Sequence, residues 1–107
     1  MPLPPLTSLQ FLVVGLLLEQ GPMTGLELRE QLRRQRVAKS GPAFYQLMRR
    51  LEEAGCISKK REMVTVGEST YPQRKYSLLG TGARAWRTTY EFYQSGAPRA
   101  AFGGGLA

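Results

Sequence analysis

Residues 41–55, GPAFYQLMRRLEEAG, run into CISKKREMVTV (56–66) and, after a short polar stretch, into QRKYSLL (73–79). In the first segment Phe44, Leu47, Met48, Leu51 and Ala54 recur at three- and four-residue spacing, which predicts a helix with one buried face. Its other face carries Tyr45, Gln46, Arg49 and Arg50 early and Glu52 and Glu53 late. The donors therefore gather in the N-terminal half, and the acids are expected to point away from any anionic partner. Ser40 supplies an N-cap, Pro42 is tolerated in a first turn whose N–H groups lack intrahelical partners, and Gly55 ends the helix.

The β-branched residues from Ile57 to Val66 predict a strand, Gly67 to Pro72 a hairpin tip, and Arg74 to Leu79 the returning strand. A helix followed by a basic hairpin is the reading apparatus of a winged helix-turn-helix, where the helix enters the DNA major groove and the hairpin forms the wing.

Upstream of this unit, Thr7 with Gln10 and Thr24 with Glu27 make two capping-box patterns. The first opens an apolar helix that stops at Gly21-Pro22. The second opens a positioning helix through about Val37, with Leu28 and Leu32 inward and Arg29, Arg33, Arg34 and Arg36 outward. Downstream, a fourth helix starts at Thr81 or Gly82, with its cap at Thr81 or Gly80, and carries Trp86, Tyr90 and Tyr93 before Gly96 and Pro98. The expected fold is mainly α with a small β-hairpin: a winged helix-turn-helix with an additional C-terminal dimerisation helix. A proline-rich arm (residues 1–6), the folded domain (7–95) and a flexible tail (96–107) make up the chain.

With 107 residues there is room for one domain. A net charge of +7, from 15 Lys and Arg against 8 Asp and Glu, favours an anionic partner. The basic residues cluster at 29–39, 49–50, 59–61 and 74–75, the parts a winged helix presents to a duplex, so double-stranded DNA is favoured over a membrane surface. One cysteine and no histidine leave no intramolecular disulfide and no ordinary metal site, so no cofactor is expected and the compartment reads as cytoplasmic. Leu9 to Leu18 is far shorter than the roughly 20 residues a membrane span needs, and no membrane association is expected. Without histidine, paired cysteines, a glycine-rich phosphate loop or clustered carboxylates, enzymatic function is not expected. Cys56 falls in an apolar slot between helix and strand, where a buried thiol is normally inert.

The run GPAFYQLMRRLEEAGCI, the later RKYSL and the upstream LLLEQGPMTGLELREQL resemble, in order and spacing, the PadR family of bacterial winged-helix regulators, in its short single-domain form. The resemblance spans roughly residues 9–93. It implies a phosphate contact for Tyr45, which matches the tyrosine of the family's recognition helix, and a last helix that packs with the first across a two-fold axis. Gln46 departs from the proline usual there, and Leu79 from the threonine that follows the family's RKYYRL-like segment.

Within this frame Arg49 and Gln46 are the candidates for sequence readout, since Arg can pair bidentately with guanine and Gln with adenine; for Arg49 a local pair with Glu53 is the alternative. Lys39, Ser40, Arg50, Lys59, Lys60, Gln73, Arg74 and Lys75 complete the expected DNA-binding set. Strand alternation allows only one of Arg74 and Lys75 to point straight at the backbone. Leu9, Leu12, Val13, Leu16, Trp86, Tyr90 and Tyr93 are the expected dimer interface, with packing inside one subunit as the alternative, and a small aromatic effector could enter such a crevice.

The expected function is that of a sequence-specific double-stranded DNA-binding transcriptional regulator, a homodimeric repressor. Two alternatives share the fold: a protein-interaction module, and a replication or copy-control DNA-binding protein.

Overall fold

The computed structural model describes residues 4–95. Helix α1 (Ser8–Gln20) starts at a complete capping box, with the Thr7 N–H donating to Gln10 Oε1 at 3.0 Å and the Gln10 N–H to Thr7 Oγ1 at 3.3 Å. It stops at Gly21, whose φ of +79° suits glycine. Leu6, which the sequence reading assigned to the arm, is buried at 3 % exposure, so the packed domain begins just before Thr7.

Strand β1 (Met23–Thr24) follows, and Thr24 then caps helix α2 (Gly25–Arg34) through a second capping box with Glu27. Leu28 and Leu32 face the core as expected. The helix closes about three residues earlier than its pattern predicted. Arg36 adopts φ +61°, its N–H donates to the Arg33 carbonyl, and the Val37 N–H reaches back to Leu32 at 3.0 Å. This pair of bonds terminates a helix, and Val37 is left outside at 37 % exposure.

Helix α3 (Gly41–Glu53) has the Ser40 hydroxyl on the Ala43 N–H at 3.3 Å and buries Phe44, Met48 and Leu51. Ala54, expected on the buried face, is the exposed C-cap. Gly55 (φ +76°) turns the chain so that the Cys56 N–H meets the Leu51 carbonyl at 3.0 Å.

The wing is strand β2 (Ile57–Val66) against strand β3 (Ser69–Leu78), in antiparallel register from Ile57↔Leu78 to Val66↔Ser69. The six-residue tip expected at 67–72 is thus a two-residue turn, Gly67-Glu68, with glycine at φ +62° in its first position. Ser69 to Pro72 join the strand instead. On the other side β3 pairs with β1, Met23 opposite Tyr76 and Thr24 opposite Lys75, giving a three-stranded sheet in the order β1-β3-β2 that the sequence did not reveal.

Helix α4 (Gly80–Gln94) begins at Gly80, with Leu79 as N-cap and no side-chain cap; neither Thr81 nor Gly80 takes the capping role expected of them. The Leu79 N–H is anchored on the Cys56 carbonyl at 2.9 Å. A Cβ on Gly82 would lie 2.2 Å from the same oxygen, so only glycine allows α4 to approach the α3–β2 junction. Buried Thr89 satisfies its hydroxyl on the Ala85 carbonyl at 2.8 Å. The tail, 96–107, lies outside the described residues.

Candidate nucleic-acid interface

The pleat of the wing decides which charges meet α3. Residues opposite one another in an antiparallel pair share a face, and Tyr76, buried at 2 % exposure, marks the inner one. Lys59 opposite Tyr76, and Arg61 opposite Arg74, therefore lie on the side facing α3. Lys60 opposite Lys75, and Glu62 opposite Gln73, lie on the outer side. Of Arg74 and Lys75 only the first faces the helix, as strand alternation requires.

Between α3 and the wing runs a cleft of about 470 Å³, lined by Pro42, Tyr45, Gln46, Arg49, Glu52, Lys59, Arg74 and Tyr76. The fold thus gathers five of the expected residues, Tyr45, Gln46, Arg49, Lys59 and Arg74, into one concave basic surface. Tyr45 is half-buried, edge-on to Phe44 with ring centres 5.0 Å apart, and carries the Arg74 guanidinium 5.1 Å above its own ring centre. Arg49 is solvent-exposed and bonds Glu53 through Nε at 3.2 Å, the local pair that the sequence allowed. Arg50 is exposed but lies outside the cleft. The Ser40 hydroxyl is occupied by capping α3, and Lys39 stands beside it in the α2–α3 connection.

No family model matches the sequence, and no curated protein does. The likeness is in three dimensions. A PadR family transcriptional regulator from Eggerthella lenta DSM 2243 superposes with a TM-score of 0.66 at 26 % identity, over 82 % of this chain and 73 % of that one. A PadR-like transcription factor from Bacteroides fragilis gives 0.66 at 22 % identity, over 81 % of each chain. Bacillus subtilis PadR in complex with operator DNA gives 0.60 at 18 % identity, over 75 % of this chain and 45 % of that one. The chain has a PadR-like winged-helix fold.

Within that PadR-like frame two features were not visible in the sequence. Arg61, part of the basic 59–61 cluster, stands directly opposite Arg74, a like-charge pair set by the strand register. Glu52, expected to point away, lines the cleft, and its carboxylate lies 3.8 Å from Lys59 Nζ.

A second concave surface lies where α1 meets α4. Phe11 stacks on Trp86 at 5.2 Å, Trp86 on Tyr90 at 5.2 Å, and Tyr93 meets Phe11 edge-on at 5.7 Å. The aromatic stripe of α4 is therefore partly covered within its own protomer. Leu9, Leu12, Leu16, Trp86 and Tyr93 line a groove of about 920 Å³, while Tyr90 remains 44 % exposed. Val13, expected at a dimer interface, is fully buried in the protomer's own core. Cys56 is also buried, and desolvation pushes its thiol above the ordinary value. Among the described residues no helix is long and apolar enough to cross a membrane.

Proposed function

We propose that this chain is a sequence-specific double-stranded DNA-binding transcriptional regulator, acting as a homodimeric repressor in the cytoplasm. The observation that carries the reading is the basic cleft, which unites Tyr45, Gln46 and Arg49 of α3 with Lys59 and Arg74 of the wing. The Bacillus subtilis relative in complex with operator DNA supports the choice of partner. Arg49 and Gln46 read base edges, and Tyr45, Arg74 and Lys59 hold the backbone. Arg50, Lys60, Lys75, Gln73 and Lys39 contribute positive or polar surface around that centre. Paired through the α1–α4 face, two copies present their α3 helices to successive major grooves about 34 Å apart. Repression follows from occluding a promoter. The same groove, lined by Leu9, Leu12, Leu16, Trp86 and Tyr93, offers a flat apolar effector an aromatic-edged crevice, and titration of the single tryptophan's fluorescence checks this.

Fluorescence anisotropy against duplexes tiling the DNA upstream of its own gene, with scrambled competitors, tests the reading. Selective binding of one palindromic tile, lost in Arg49→Ala, is expected. Equal weak binding to every tile transfers the basic surface to the protein-interaction alternative.

A further inference from the structure

Glu52 stands seven residues after Tyr45 and three after Arg49, so two turns of α3 place the three on one stripe, and all three line the cleft. Its carboxylate holds Lys59, and the neighbouring Glu53 holds Arg49. Among the described residues no carboxylate lies within ion-pair distance of Lys60, Arg61, Arg74 or Lys75. The two acids that end α3 thus each hold one cation of the helix–wing cleft, Lys59 and Arg49.

Helix stability does not account for them. Both acids occupy the C-terminal turn of α3, where the carbonyl ends of the helix disfavour negative charge. The Arg49–Glu53 pair is open to solvent and the Lys59–Glu52 pair partly so, settings in which such pairs contribute little.

We propose that Glu52 determines selectivity by repulsion: it engages Lys59 in the free protein and opposes phosphate in the cleft unless base contacts have seated α3 in the groove. This rests on the DNA-binding reading above. On a non-matching duplex the affinity is almost entirely phosphate contact and counterion release, so a withheld cation and an added negative charge act in full. On a matching duplex Arg49 and Gln46 draw the helix onto base edges, and the space before Glu52 is filled by bases instead of phosphate. Discrimination then arises partly from a feature that penalises the wrong partner.

The test compares wild type with Glu52→Gln on the matching and a scrambled duplex, by anisotropy between 50 and 200 mM salt, with circular dichroism to verify the fold. Scrambled binding is expected to tighten about three- to tenfold and its salt slope to steepen by about 0.9, the value for one released cation. Matching affinity is expected to tighten less than scrambled affinity, so that selectivity falls by relief of repulsion. Glu52→Ala, which also suits a helix, is expected to give the same signs. Loss of matching affinity with scrambled binding unchanged overturns the proposal, because Glu52 then reads a base; so do equal shifts on both duplexes, or none. A wild type that selects no duplex overturns the DNA-binding reading itself and the proposal with it. Selective wild-type binding with an unresponsive Glu52→Gln overturns the proposal alone.

Discussion

Arg74 sets its guanidinium carbon 5.1 Å from the centre of the Tyr45 ring, so the returning strand of the wing rests on the early turns of α3. A guanidinium over an aromatic face contributes about 0.5–1 kcal/mol at exposed sites. A double-mutant cycle of Tyr45→Leu and Arg74→Met, read by urea unfolding, is therefore expected to return a coupling of about 0.5–1 kcal/mol. Zero coupling would mean that wing and helix are positioned independently.

The wing also carries a charge arrangement that opposes its own folding. Arg61 faces Arg74, and Lys60 faces Lys75, with opposed Cα partners in each case. Like charges directly across two strands destabilise a hairpin by about 0.2–1 kcal/mol each. Arg61→Thr is expected to raise thermal stability while lowering the salt slope of duplex binding by about 0.9. A stabilised variant with an unchanged slope would remove Arg61 from the interface.

At Gly82 the requirement is steric. Its added Cβ would meet the Cys56 carbonyl oxygen at 2.2 Å and Leu78 Cδ1 at 2.7 Å, and the backbone oxygen already accepts the Leu79 N–H. Gly82→Ala must push α4 off the α3–β2 junction, with an expected loss of about 2–3 kcal/mol in unfolding free energy. The contrast is Gly80→Ala, where the nearest atom is the mobile end of Arg84 at 3.4 Å and little change is expected by the same measurement.

The local signals in the chain were the legible ones. Thr7/Gln10, Thr24/Glu27 and Ser40 announce helix starts because a cap is decided within four residues, and all three occur where the spacing places them. Ser69, Thr70, Tyr71 and Pro72 have the composition of a loop, yet cross-strand pairing to Val66, Thr65, Val64 and Met63 extends the ladder through them. Strand β1 has only two residues, and its partner Tyr76 lies more than fifty positions away, so no window of sequence contains the information. The cleft was half visible: helical periodicity exposed Tyr45, Gln46 and Arg49, but the placement of Glu52 in it depends on how the hairpin is set against α3, and the pairing of Arg61 with Arg74 on the strand register.

The capping box at α2 has a pH signature. The Thr24 backbone N–H, and then its hydroxyl, hold the Glu27 carboxyl below its ordinary value. A depressed folded-state pKa gives stability that is present above the unfolded value and lost as pH falls through the folded one. Glu27 is largely open to solvent, so the contribution is only a few tenths of a kcal/mol after screening. Wild type is expected to exceed Glu27→Gln in melting temperature at pH 7, with the gap closing as pH falls from about 5 to 3. A constant gap would assign the effect to packing and not to the charge.

Tyr90 separates the two roles open to the aromatic stripe. It stacks on Trp86 yet stays 44 % exposed, so its outer face is available to a second copy in a way that buried Val13 is not. If α1 and α4 pair across a two-fold axis, Tyr90→Glu places a charge in the apolar seam and shifts sedimentation equilibrium toward monomer at micromolar concentration, while a monomer's own core is untouched. Matching-duplex affinity should then fall at least about tenfold, because two half-site contacts no longer act together. An unchanged wild-type monomer–dimer profile, with Tyr90→Glu binding DNA as well as wild type, would mean that the stripe serves intrachain packing with Phe11 and that each protomer reads its site alone.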